Sequence, residues 1–489
     1  MSSLSDLFPA GAGKQVSFIA SGTISNGDTV ILNSDGTVTA VTGIVQNVGS
    51  PVKFEDSFLA TTETMSAAFD STNNKVVLFY EEGSAQYAVV GTVSGTSISF
   101  GTRVQVFNDG TITRGVVFDE NAGKFLFAYP GLNSTRLYLR VGTISGTSIS
   151  LGTETSVLTA YTKRISMSYD PDINKSVISF INGFNADYLT AVVATISGTT
   201  PSIGSAYIIW SNDPQDVPID QCYDTNANKH VVVYKKTTEG YANVLTANSS
   251  SAISVGTQAT WSGNSNPQIA NESNHYLVFD SSRNKVIVLF GDGGSSKLEA
   301  AVGTISGTNI SFATRFTVRS GNIRGIGACF DTAVNKTVVF FDDIATNKLM
   351  GITITMAADG SCTMSSEFEL IDGNGNVDAV TNVFDSNSNK VVGFAPTNLG
   401  GDRDGDAFVF TAGSTNVTTD NFLGISDAAI SDTASGSVTI KGGVSTNVSG
   451  LTPNSDYYVQ NDGSLSTTSS EVLAGRALSA TSIDLDYST

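Results

Sequence analysis

The chain has 489 residues, among them 48 Gly and 10 Pro, with 40 % apolar and 15 % charged side chains and a formal net charge of −19. Its 45 acidic residues against 26 basic ones argue against nucleic acid as a partner, because phosphate recognition depends on Lys and Arg. Two His and three Cys are too few for a zinc centre of the Cys/His kind, and an odd Cys number does not suit a disulfide framework, so the fold must stand on its core.

The opening stretch from Met1 to Phe8 carries no basic cluster, and no run of 18 apolar residues occurs anywhere, which predicts a soluble protein folded in a reducing cytoplasm. Residues 15–50 then alternate turn signals with short apolar runs: Phe18-Ile19-Ala20, Gly22-Thr23-Ile24, Gly27-Asp28-Thr29-Val30-Ile31-Leu32 and Asp35-Gly36-Thr37-Val38. These read as short strands joined by Gly-Asp turns.

From residue 51 to about 412 a repeat organises the chain. An aromatic-Asp pair followed at a fixed offset by Lys recurs seven times, at Asp70, Asp119, Asp170, Asp224, Asp280, Asp331 and Asp385, in steps of 49, 51, 54, 56, 51 and 54 residues. The Lys follows Asn in six cases and Gly123 in the other, residues that tolerate a left-handed backbone, so each linker reads as a hairpin turn. After each Lys comes a run such as Val76-Val77-Leu78-Phe79-Tyr80, apolar on consecutive positions, which predicts a strand buried on both faces. A second signature, as in Val90-Gly91-Thr92-Val93-Ser94-Gly95, leads into a Ser-Ile-Ser strand. Four antiparallel strands per period of about 50 residues is the pattern of a propeller blade, which predicts an all-β, seven-bladed β-propeller.

The seventh period has three strands and no fourth. Val52 to Leu59 stand just ahead of the first Phe-Asp pair, where a fourth strand precedes every other pair, so an N-terminal strand is expected to complete the last blade and remove an open edge.

Residues 413–489 return to the texture of residues 15–50, with Phe422-Leu423-Gly424-Ile425-Ser426, Gly436-Ser437-Val438-Thr439-Ile440, Leu451-Thr452-Pro453, Tyr457-Tyr458-Val459, Asp462-Gly463 and Ala474-Gly475-Arg476-Ala477. If the propeller closes on itself, both flanks emerge together, and the expectation is one small β-barrel or sandwich domain interrupted by a long insertion. The order of these motifs resembles the small β-domain of tailed-bacteriophage structural proteins, found in capsid decoration proteins, head fibres and tail fibres, particularly of marine phages. The likeness covers about a quarter of the chain and consists of turn chemistry with no catalytic group. The opening Leu4-Ser5-Asp6-Leu7-Phe8-Pro9-Ala10-Gly11-Ala12-Gly13 is similar to the leading arm of those proteins, which implies a docking arm at residues 1–14.

Candidate chemistry is sparse. The seven repeat Asp residues read as turn caps, since a carboxylate beside a tight turn accepts its N–H groups. His230 takes a position held by Val76 and Val286 in other repeats, so it reads as a strand side chain, and His275 has no Ser or Cys motif beside it. Cys222 and Cys329 precede the repeat aromatic, where other repeats place small residues, and read as core groups. Asp402, Asp404 and Asp406 alternate in a segment that could offer oxygen ligands to Ca²⁺, a weak metal candidate without the remaining ligands of an EF-hand. Aromatic rings stack on sugars, and Trp210 and Trp261, near the ends of outer strands, are the ligand-binding candidates.

The function expected from the sequence is that of a non-enzymatic phage virion structural protein. It would be a capsid-attached fibre or knob that presents a propeller for weak adhesion to glycans, with a tail fibre or a free lectin as alternatives. No cofactor is expected. The expected partners are major capsid or tail proteins and cell-surface glycan, without membrane insertion and with room for a homo-oligomer. The expected location is the virion, after synthesis in the host cytoplasm.

Overall fold

The computed structural model describes residues 14–56, 65–83, 85–108, 115–131, 136–158, 162–212, 219–236, 238–262, 276–292, 297–371, 379–397 and 404–485. Its regular elements are all β-strands, and no helix is present among the described residues. The chain divides into two compact units, Val48–Phe410 and a smaller one made of Met1–Asn47 with Thr411–Thr489.

The larger unit is a β-propeller built from the repeat. Its first sheet runs in order from Ser66–Asp70 through Lys75–Glu82 and Ala85–Ser94 to an outer layer, split into Ser97–Phe100 and Val104–Phe107. Five further five-stranded sheets follow the same plan. The first strand of each sheet packs against the first strand of the next, and Thr381–Asp385 of the seventh sheet packs back against Ser66–Asp70, so the series closes on itself. The second strands are buried on both faces, as consecutive apolar residues require. Leu78 and Tyr80 pack with Val392, Phe394 and Ala407 of the seventh sheet, while Val77 and Phe79 pack with Val116 and Phe127 of the second.

The turns follow the repeat signature. Asp70 Oδ1 accepts the N–H groups of Thr72 and Asn73 at 2.9 Å each, and Asn74 adopts φ 54° before Lys75. The same left-handed step recurs at Asn174, Asn228, Asn284, Asn335 and Asn389, and at Gly123.

The outer layer of the seventh sheet comes from the front of the unit. Val52, Lys53 and Glu55 pair antiparallel with Ala407, Asp406 and Gly405. Gly49 donates its N–H to Val409 O at 2.8 Å, the bond that Gly101 makes to Val90 O at 2.9 Å and Gly152 to Val141 O at 2.8 Å. A Cβ on Gly49 would collide with Thr96 O of the next sheet, as one on Gly101 would collide with Thr147 O, so the same close approach recurs at both joints.

In the smaller unit, strands from both chain segments share one sheet, in the order Gln15–Ile19, Ser435–Ile440, Phe422–Ser426, Thr29–Leu32, Val38–Ala40. A second five-stranded sheet, from Val444–Ser445 to Leu473–Ser479 and Ser482–Leu485, comes wholly from the later segment. Ile425, Tyr457, Ala474, Ile483 and Leu485 fill the core between them.

Candidate functional site

Antiparallel strands reverse at every turn, so the first-to-second and third-to-outer turns of each propeller sheet lie at one edge. That edge carries the Asp caps and two-residue turns with left-handed glycines at Gly95, Gly146, Gly198 and Gly307, while the fourth and sixth sheets turn there through residues 248–252 and 357–361. At the opposite edge the described connections include residues 183–187 in the third sheet, with left-handed Ala186 and Asp187, and residues 344–347 in the sixth.

Several described charges at this second edge are paired. Lys163 Nζ lies 3.0 Å from Asp187 Oδ1, and Arg324 Nε lies 3.3 Å from Asp342 Oδ2. Arg319 bridges Asp343 and Glu367 at 3.0 Å each.

Asp220 opens the first strand of the fourth sheet at this edge. Its Oδ1 accepts the Gln221 N–H at 2.8 Å and the Ser166 hydroxyl of the third sheet at 3.2 Å, and its Oδ2 accepts the Leu277 N–H of the fifth sheet at 2.8 Å. The residue keeps part of its surface exposed, yet its carboxylate is enclosed, and burial pushes the pKa up to about 7 against the three hydrogen bonds that lower it. Ser66 plays the same joining part in the first sheet, accepting the Val116 N–H at 3.1 Å. An acid at this position is peculiar to the fourth sheet.

Lys235 stands nearby on the second strand. Asp220 pairs directly with Val233, whose side chain packs against the fifth sheet, and strand alternation puts Lys235 on that same face. Asp220 and Lys235 are therefore diagonal neighbours, with backbones about 7 Å apart. No acid pairs with Lys235 among the described residues, and burial alone lowers the pKa of its amine. Neither residue belongs to the repeat signature. Their signal lies in aligning the repeats, where Lys235 replaces Glu81, Pro130, Ile181, Gly291, Asp342 and Pro396.

A second polar cluster joins the third and fourth sheets toward the turn edge. Ser168 Oγ lies 2.7 Å from His230 Nδ1, His230 Nε2 lies 3.4 Å from Asp170 Oδ2, and Gln221 Nε2 donates to Ser168 Oγ at 2.8 Å. The set has the composition of a hydrolytic triad without its access. His230 is 1 % exposed and burial lowers its pKa, while Asp170 caps its own turn through the Asp172 N–H at 3.0 Å. It serves as a joint between sheets, and His275 lies outside the described residues.

The tryptophans belong to related joints. Trp210 closes the outer layer of the third sheet and rests on Tyr234 and Tyr241 of the fourth, at 5.2 and 5.7 Å, with Lys236 Nζ 4.8 Å from its ring centre. Phe107 meets Tyr129 in the same way at 4.9 Å, and at the matching position Glu55 accepts the Tyr80 hydroxyl at 2.8 Å. Trp261 is 3 % exposed, donates to Tyr241 O at 2.8 Å and packs on Phe290 at 4.9 Å, which places it in the core. A cleft of about 350 Å³ beside it is bounded by Thr260, Phe312 and Arg315.

Asp404 and Asp406 already have protein partners. Lys53 Nζ lies 2.7 Å from Asp404 Oδ2, Thr397 donates its hydroxyl to Asp406, and burial raises the pKa of Asp406. Asp402 lies outside the described residues, and no group of three metal-ligating side chains occurs among those described. The smaller unit has its own groove of about 740 Å³, bounded by Asp28, Thr42, Asn447 and Asp462.

No family model matches the chain, and no characterised protein matches it in sequence. Solved structures do. The periplasmic gluconolactonase PpgL of Pseudomonas aeruginosa is 10 % identical, with a TM-score of 0.46 over 72 % of this chain and 96 % of that one. A Thermus thermophilus putative oxidoreductase titled glucose dehydrogenase is 9 % identical, with a TM-score of 0.41 over 74 % and 100 %. The β-propeller domain of Myceliophthora thermophila Cps50 is 9 % identical, with a TM-score of 0.44 over 75 % and 99 %.

These findings correct the function expected from the sequence. These three structures come from two bacteria and a fungus, two of them carry enzyme names, and none of the three is a virion protein. The reading as a non-enzymatic phage structural protein is therefore withdrawn. At such low identity the likeness concerns fold, and none of these activities passes to this chain.

Proposed function

We propose that the larger unit is a seven-bladed propeller closed by the strand Val52–Glu55, that it interrupts a separate small β-barrel or sandwich domain built from both ends of the chain, and that it acts on a small polar ligand held at the edge opposite its short turns. Asp220 and Lys235 are the ionisable groups of that site. The observation that carries the reading is the placing of Asp220, an enclosed carboxylate held by Ser166 and Leu277 of the sheets on either side, its pKa pushed up to about 7, diagonal in the strand register to a lysine that no acid pairs among the described residues. Such a group can take or give a proton near neutral pH, and strongly shifted groups of this kind concentrate at functional sites. The net charge of −19 favours neutral or cationic ligands over polyanions.

The test is a thermal-shift screen of neutral sugars, sugar lactones, amines and simple aldehydes, with hits placed by hydrogen exchange. A true ligand protects residues 162–166, 219–222 and 233–241, and its affinity falls at least tenfold in Asp220→Ala. Protection confined to the turn edge or to the smaller unit would overturn the reading, as would affinity unchanged in both Asp220→Ala and Lys235→Met.

A further inference from the structure

We infer that Lys235 is a nucleophilic amine that takes a carbonyl-bearing ligand, an aldehyde or ketone, as an imine. The inference rests on the site proposed above and names the chemistry of its ligand.

Two adjacent lysines on one strand make the case. Lys236 points to the face that meets the third sheet, where its ammonium lies 4.8 Å from the centre of the Trp210 ring, an arrangement that stabilises positive charge. Lys235 points to the opposite face, which it shares with Val231 and Val233 and with the fifth-sheet residues Leu277 and Val288. Its direct cross-strand partner is Gly240, whose Cβ position is filled by the indole of Trp261. Lys235 thus ends an apolar face at the close of its strand, half-buried, with no acid paired to it among the described residues and with Asp220 diagonal to it in the strand register. Desolvation without a counter-ion disfavours the ammonium form and exposes the nitrogen lone pair, which is how a lysine becomes a nucleophile.

The chemistry balances without an oxidant or reductant. The neutral Nζ attacks the carbonyl carbon, a C–N bond forms, and the carbonyl π pair moves to oxygen, which takes up a proton. The resulting carbinolamine loses water as the nitrogen lone pair forms C=N. A proton taken up by the hydroxyl makes water the leaving group and another is given up by nitrogen, so the sum is amine plus carbonyl to imine plus water.

The experiment incubates the full chain with glyceraldehyde and cyanoborohydride at pH 7 and locates the reduced adducts by peptide fragmentation. Lys236 is the internal control, since it lies on the same strand. The expected result is modification of Lys235 at least tenfold faster than of Lys236 or of any other lysine, and its absence in Lys235→Arg. Equal rates at Lys235 and Lys236 in the folded protein would overturn the inference. If Lys235 stays unmodified while a non-covalent ligand is still lost in Asp220→Ala, the imine chemistry alone fails; if neither is seen, the site proposed above fails with it.

Discussion

At the residue scale the repeat Asp and the Asp at position 220 illustrate two kinds of carboxylate. Asp70 and its counterparts face N–H groups two and three residues ahead, a local arrangement that the spacing Asp-x-x-x-Asn-Lys already specifies. Asp220 draws its partners from Ser166 and Leu277, which lie in the sheets on either side, so nothing in its own neighbourhood of sequence announces its state. Because its folded pKa is raised, its contribution to stability is complete below about pH 4 and is lost as pH rises through 7. Urea unfolding of the wild type and of Asp220→Asn should therefore diverge by about 2 to 4 kcal/mol between pH 4.5 and 8, with the wild type losing ground as pH rises. A constant difference across that range would show an ordinary carboxylate. His230 has the opposite sign: its lowered pKa gives a contribution that is present above about pH 6.5 and lost on acidification.

At the element scale the strand Val52–Glu55 matters most, because it belongs to the seventh sheet by pairing and to the start of the unit by sequence. Its hold is mainly apolar. Phe54 is 9 % exposed and sits edge-on to Tyr80, Phe100 and Phe394 at 5.1, 6.1 and 6.0 Å. The ionic contacts around it, Lys53 with Asp404 and Arg103 with Glu55 and Glu82, involve part-exposed cations that salt screens. Phe54→Ala should cost about 3–5 kcal/mol, whereas Arg103→Ala should cost about 1 kcal/mol or less and fade with added salt. Denaturant titrations at low and high ionic strength separate the two, and a larger loss in Arg103→Ala would show that charge closes the series. The sequence places this strand through a missing fourth strand in the last repeat. It does not show Trp210 as a joint, because the ring meets Tyr234 and Tyr241 only when the third and fourth sheets stand side by side.

At the scale of the whole molecule, two units with separate cores predict two unfolding transitions in calorimetry. Phe54→Ala should lower only the transition of the larger unit, and Ile425→Ala only that of the smaller. A single transition that both substitutions shift would show that the units unfold as one. What the sequence determined by itself is what short-range physics controls: turns capped by Asp and opened by Asn, second strands apolar on both faces, and a repeat near 50 residues that commits the chain to successive antiparallel sheets. What only the tertiary structure decided depends on neighbours distant in sequence. The burial that lifts Asp220, the desolvation of Lys235 and the enclosure of the Ser168–His230–Asp170 set arise from sheets packed against one another, since desolvation belongs to a surrounding and not to a residue type.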